Sequence, residues 1–116
     1  MGISKSNKEG HVTALVFSGR KNPGWTIPAG QLNELLSTWE KATTVSHYNP
    51  APAVLGYNGL LLQQNNKQWH VVNQLIYYKL NDELLLVKED AGDLFEKGIL
   101  QSAPADVLDL LEQMRR

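Results

Sequence analysis

The strongest constraint on this chain lies between Leu60 and Lys88, where the apolar segments LLLQ, WHVV, LIYYKL and LLLV follow one another with only short polar interruptions. Asn65-Asn66-Lys67 and Asn81-Asp82 supply residues that tolerate the left-handed backbone of a tight turn, so each predicts a hairpin. Between them, residues 75–80 form either a strand of their own or the continuation of one long strand from Trp69, broken at Asn73-Gln74. The centre of the chain is therefore a β-meander, and a meander needs other elements to cover a face.

Upstream, the apolar period changes from two to 3.6. Leu32, Leu35, Leu36 and Trp39 stand at i, i+3, i+4 and i+7, the spacing of a helix with one core-facing stripe. Gln31, Asn33, Glu34, Ser37 and Glu40 fall off that stripe, and Pro28 suits the first turn, where its missing N–H costs little. The helix is predicted to end near Ala42. Pro50 and Pro52 then keep the following segment, SHYNPAPA, out of a regular ladder.

Before this helix, residues 11–18 (HVTALVFS) read as a buried strand, and GRKNPGW reads as a turn-rich loop in which Pro23 fixes φ and Gly24 permits positive φ. After the meander, Leu94, Phe95, Ile99 and Leu100 recur at helical spacing behind Asp90, a candidate N-cap, although Gly92 and Gly98 weaken the helix. A last helix starts at Ser102 or Pro104, with Val107, Leu108, Leu111 and Met114 expected inward. Its charges, Asp106 early and Arg115 and Arg116 late, match the helix dipole. Residues 1–10 are expected to form a disordered polar tail and residues 11–116 a single domain. The fold class is α+β: an antiparallel sheet of about five strands, with one central-face helix and the C-terminal helices covering one face.

Composition excludes several functional classes. Eleven Lys and Arg against twelve Asp and Glu leave a net charge of -1, so no global field favours nucleic acid or an anionic membrane. Cysteine is absent, which removes disulfides, thiolate nucleophiles and cysteine-based metal sites. No apolar run approaches the ~20 residues that span a bilayer, and the first ten residues lack the apolar core of a secretory signal, so a soluble, cytoplasmic chain is expected. No phosphate-binding loop, dinucleotide fingerprint, nucleophile elbow or paired-histidine zinc helix occurs. His11, His47 and His70 match no compact metal spacing. No catalytic residue, metal ligand or cofactor is assigned, and whether the chain is an enzyme stays open. Glu89, Asp90, Asp93 and Glu96 read as capping and solvating charges at a helix start.

The most suggestive stretch runs from Ser18 to Trp25. It is a strand-to-helix connection, yet it also carries Arg20, a planar five-donor group suited to carboxylate or phosphate, with Lys21 beside it and Trp25 as an aromatic wall. Tyr57 and Asn58 lie in a glycine-bracketed loop that could meet it. The segments SGRKNPGW, LGYNG and DAGDLFEKGIL, in that order, resemble a family of small uncharacterised bacterial and fungal proteins with Ser-Gly-Arg-x-Asn-Pro-x-Trp and Leu-Gly-Tyr-x-Gly segments. Ser18, Gly19, Arg20, Asn22, Pro23 and Trp25 match the first motif; Leu55, Gly56, Tyr57 and Gly59 match the second. Lys97-Gly98 depart from the bulkier apolar residues of the third, and the resemblance implies no activity.

The function expected from these residues is a non-enzymatic binding or protein-interaction module. Its surface would be formed by Arg20, Lys21, Asn22, Trp25, Tyr57 and Asn58, and its partner would be a small anionic ligand or an acidic protein segment. A small hydrolase or isomerase using His47 or His70 with Arg20 is the alternative. Either a monomer or a homodimer is compatible with an exposed hairpin edge.

Overall fold

A computed structural model describes residues 8–16, 21–50 and 57–115, with Arg115 described by its backbone alone. The chain runs β1 (Gly10–Ala14), β2 (Gly24–Ile27), α1 (Ala29–Lys41), β3 (Leu60–Gln64), β4 (Lys67–Val72), β5 (Leu75–Leu80), β6 (Glu83–Glu89), a single 3-10 turn (Ala91–Asp93), α2 (Leu94–Leu100) and α3 (Ala105–Arg115). All strand pairings are antiparallel, in the order β2-β1-β3-β4-β5-β6. The domain is α+β as expected, with six strands among the described residues rather than about five.

The additional strand is β2. Only four residues long, GWTI carries too short a pattern to announce itself; it exists because Thr13 meets Gly24 and Val12 meets Trp25 across the ladder with β1. Gly10, assigned from composition to the polar tail, is instead the first residue of β1 and is buried. The Lys8 carbonyl accepts a bond from the buried Gln64 Nε2 at 3.2 Å. Residues 1–7 of the expected tail lie outside the described residues.

The meander forms as its asparagines demand. Asn65, Asn73, Gln74, Asn81 and Asp82 adopt φ between 51° and 65°, the left-handed region that short polar side chains tolerate. Asn73-Gln74 is thus a tight reversal between two separate strands, which closes the alternative of one long broken strand. Two of the turns brace each other at one end of the sheet: Asn66 Nδ2 donates to Asn81 Oδ1 at 2.8 Å, and the Asn81 N–H to the Asn66 carbonyl at 3.0 Å. Gly59, entering β3, has φ +92°, and a Cβ there would lie 2.2 Å from the Val71 carbonyl oxygen. Only glycine fits.

Helix α1 begins behind Pro28 and ends at Ala42, burying Leu32, Leu35, Leu36 and Trp39. Thirteen residues make a rod of about 20 Å, close to the ~24 Å between the outer strands of a six-stranded sheet. It therefore carries the chain from the β2 edge towards the β6 edge. There the last-turn carbonyls meet Lys88, whose Nζ donates to the Trp39 carbonyl at 2.8 Å and sits 4.4 Å from the Trp39 ring centroid. Thr44 then bridges to Lys88 on the outer side of β6.

The core lies between the sheet and the helices: Val12, Trp25, Ile27, Leu60, Leu62, Trp69, Val71, Ile76 and Tyr78 from the strands meet the α1 stripe, Phe95, Ile99, Val107 and Leu111. Gly98 lets α2 approach α1, since a Cβ on it would come within 2.6 Å of Leu35 Cδ2; the residue that weakened the helix in the sequence is the one that permits its packing. Two expected core residues are outside. Leu94 is 63% and Leu108 39% exposed, because the turn before α2 and the orientation of α3 aim them at solvent. Tyr78 faces this core, whereas Tyr77, also buried, faces away from it. It joins Val72 and Val87 in a second small cluster on the opposite face, against Val45 and Leu75.

Candidate functional site

With helices on one face, the other face of the sheet is defined by register. Thr26, His11, Gln63, Gln68 and Lys79 are successive cross-strand partners from β2 to β5. They form a polar row across five strands, and none of them is fully buried. The neighbouring row runs Gly24, Thr13, Leu61, His70, Tyr77 and Val87, so the face becomes apolar towards β6. There the segment after α1 lies over it: Tyr77 Oη donates to the Asn49 carbonyl at 2.8 Å, and Tyr48 meets the Tyr77 ring edge-on at 6.1 Å.

At the opposite end, His11, Thr13, Lys21, Asn22, Pro23 and Gly24 line a cleft of about 590 Å³, within the usual range for small-molecule sites. Its walls are set by backbone chemistry. The Ala14 N–H donates to the Pro23 carbonyl at 2.9 Å, and the Val16 N–H donates to Asn22 Oδ1 at 3.0 Å, so the carboxamide of Asn22 extends the β1–β2 ladder where the strands part. Gly24 keeps the floor open: a Cβ on it would come within 2.9 Å of His11 Nε2, so the imidazole lies across β2 at this position. The cleft thus offers the exposed Lys21 ammonium, a Thr13 hydroxyl and an imidazole nitrogen around a glycine floor. Such groups can bind an anion through charge-assisted hydrogen bonds.

The six residues expected to form the binding surface separate in space. Lys21 and Asn22 line this cleft. Trp25, only 6% exposed, packs in the core with its Nε1 donating to Ser102 Oγ at 2.8 Å, so it does not form an aromatic wall. Tyr57 packs on the helix side, its hydroxyl donating to Glu96 Oε2. Asn58 is tied through its backbone, its N–H donating to the Leu15 carbonyl at 2.7 Å and its carbonyl accepting from His70 Nε2 at 2.8 Å. Arg20 lies outside the described residues. The sequence did not single out His11 and Thr13 as site residues, because their convergence depends on the β1–β2 register.

His70 and His47 are apart in setting. His47 is exposed on the segment following α1, whereas His70 is half-buried beside Tyr77. Burial, and secondarily the charge of Lys79, hold the His70 imidazole below its ordinary pKa against the opposing effect of the Asn58 carbonyl. Its bond to that carbonyl fixes the proton on Nε2. No group of three or more potential metal-ligating side chains converges among the described residues.

The carboxylates at the start of α2 have unequal fates. Asp90, 2% exposed, accepts the Phe95 N–H at 2.7 Å and the Glu96 N–H at 3.0 Å. The N-cap position of α2 is Asp93 rather than the expected Asp90, but it is the Asp90 side chain that caps the helix, reaching past the intervening turn. Burial pushes its pKa above the ordinary value, while those two bonds pull it down. Glu96 is buried at 6% exposure and accepts from Tyr57; the expectation of a solvating charge is corrected because α2 turns it inward. Among the described residues no helix is long and apolar enough to cross a membrane. Comparison with models of protein families, with curated proteins and with solved structures finds no match.

Proposed function

We propose that this domain is a non-enzymatic binding module that takes a small anionic ligand in the cleft between β1 and β2. The reading is supported by one observation above the rest: Lys21, His11 and Thr13 surround a concave site floored by Gly24, at the end of a polar row that the helices leave uncovered. An ammonium, a hydroxyl and an imidazole are suited to a phosphate or carboxylate, and the open sheet face beyond them gives room for a larger polar body.

The test is thermal denaturation of wild type, Lys21→Ala and Thr13→Val with phosphate, citrate, acetate and sugar phosphates at constant ionic strength. A bound anion raises stability by mass action, about 2.7 kcal/mol at a hundredfold excess over Kd. The expected result is a shift for at least one anion that both variants reduce. Equal shifts in wild type and Lys21→Ala, or none in any protein, would overturn the reading.

A further inference from the structure

A second concavity lies at the other end of the molecule, where the C-terminus of α1 meets the end of β6. Thr38, Lys41, Ala42, Thr43, Ile76, Glu89, Asp90, Ala91 and Leu94 enclose about 360 Å³, enough for a molecule smaller than most cofactors. Ile76, Ala42 and Ala91 contribute apolar surface. Lys41 and Glu89 bring opposite charges, and both residues are exposed. The walls are held independently of any ligand: the Glu89 N–H donates to the Thr43 carbonyl at 2.9 Å, and the Asp90 N–H to the Gln74 carbonyl at 2.8 Å.

Two features shape this corner. Gly92 and Asp93 both adopt left-handed conformations, at φ 64° and 57°, which glycine and aspartate tolerate and which turn the chain sharply into α2. Immediately after them Leu94 is held 63% exposed at the rim, although burying such a side chain is worth about 1.5–3 kcal/mol. The turn thus presents a leucine at the rim of the concave site.

We propose that this pocket is a binding site for a small zwitterion with an apolar body, of the class of the free aliphatic α-amino acids. Glu89 faces the ligand's ammonium, Lys41 its carboxylate, and Ile76, Ala42, Ala91 and Leu94 receive the side chain. The third charged residue of the lining, Asp90, spends both carboxylate oxygens on the Phe95 and Glu96 N–H groups, which leaves the exposed Lys41 and Glu89 to meet a ligand; one charge of each sign with an apolar lining favours this class over a simple anion, a simple amine or a fully apolar molecule. The site shares no residue with the β1–β2 cleft, so the two stand or fall separately.

Binding is read by saturation-transfer NMR and by amide shifts in a titration of the full chain with L-leucine, isopentylamine, 4-methylpentanoate and glycine. L-Leucine is expected to bind and to move the Ala42, Thr43, Ala91 and Leu94 amides, while the three probes that each lack one group bind more weakly. Lys41→Met and Glu89→Gln change exposed side chains, and each is expected to weaken L-leucine about five- to tenfold, the range between an exposed ion pair and a charge-assisted hydrogen bond. Any carboxylate held in the β1–β2 cleft is read separately, from the Lys21 and Asn22 amides that line it. Absence of L-leucine binding at millimolar concentration overturns the proposal. So does equal binding of the amine or the carboxylate alone, or undiminished affinity in both pocket variants.

Discussion

Replacing Asp90 tests how the C-terminal helices are fastened to the sheet. Its carboxylate accepts two backbone N–H groups, from Phe95 and Glu96, whose residues are 0% and 6% exposed. Water cannot readily replace a lost acceptor there. In Asp90→Ala each orphaned donor costs about 1–3 kcal/mol, partly offset by relief of the burial penalty that raises the Asp90 pKa. The net loss expected is about 2–4 kcal/mol, or about 8–16 °C in Tm at roughly 4 °C per kcal/mol. Asp90→Asn keeps one acceptor and carries no charge to bury, so it should recover at least about 1 kcal/mol of that loss.

Urea denaturation followed by tryptophan fluorescence gives both values, and hydrogen exchange at Phe95 and Glu96 locates the effect. The titration has a defined sign. Because the folded-state pKa is raised, the carboxyl contributes most stability below its ordinary value of 3.8 and less as pH rises through its folded-state value. Asp90→Ala lacks that contribution. A loss under about 1 kcal/mol in Asp90→Ala, with wild-type protection of the two amides, would refute the capping argument.

Three further outcomes follow from the geometry. Gly59→Ala places a Cβ 2.2 Å from the Val71 carbonyl and should abolish folding or cost more than about 3 kcal/mol, whereas Gly30→Ala, with open space around its Cβ in α1, should be neutral or stabilise by up to about 1 kcal/mol; circular dichroism melts compare them. Lys88→Met removes the ammonium bond to the Trp39 carbonyl and its contact with the ring, but also relieves a buried charge, so a modest loss of about 1–2 kcal/mol is expected in urea. His70 has a lowered pKa, so its neutral form stabilises the fold above the ordinary value of 6.5, and stability falls as pH drops from there through the folded-state value. In His70→Gln the Tm profile across that interval should flatten, and an unchanged slope would contradict the assignment.

The sequence alone determined the parts of this fold that depend on local chemistry. The stripe of Leu32, Leu35, Leu36 and Trp39 specifies a helix because its period places all four side chains on one face. Asn65 and Asn81-Asp82 specify hairpins because few other residues tolerate their backbone conformation. Asp90 was legible as a cap for the same reason: its donors lie within six residues of it. What remained for the tertiary structure were the choices made between segments distant in sequence. β2 exists only against β1, Lys88 finds the end of α1 across 49 residues, and Glu96 is drawn inward to Tyr57 across 39. The candidate cleft divides in the same way. Lys21 and Asn22 could be picked out from the composition of their turn, but His11 and Thr13 join them only through strand register, and Trp25 leaves them because alternate residues of a strand point to opposite faces.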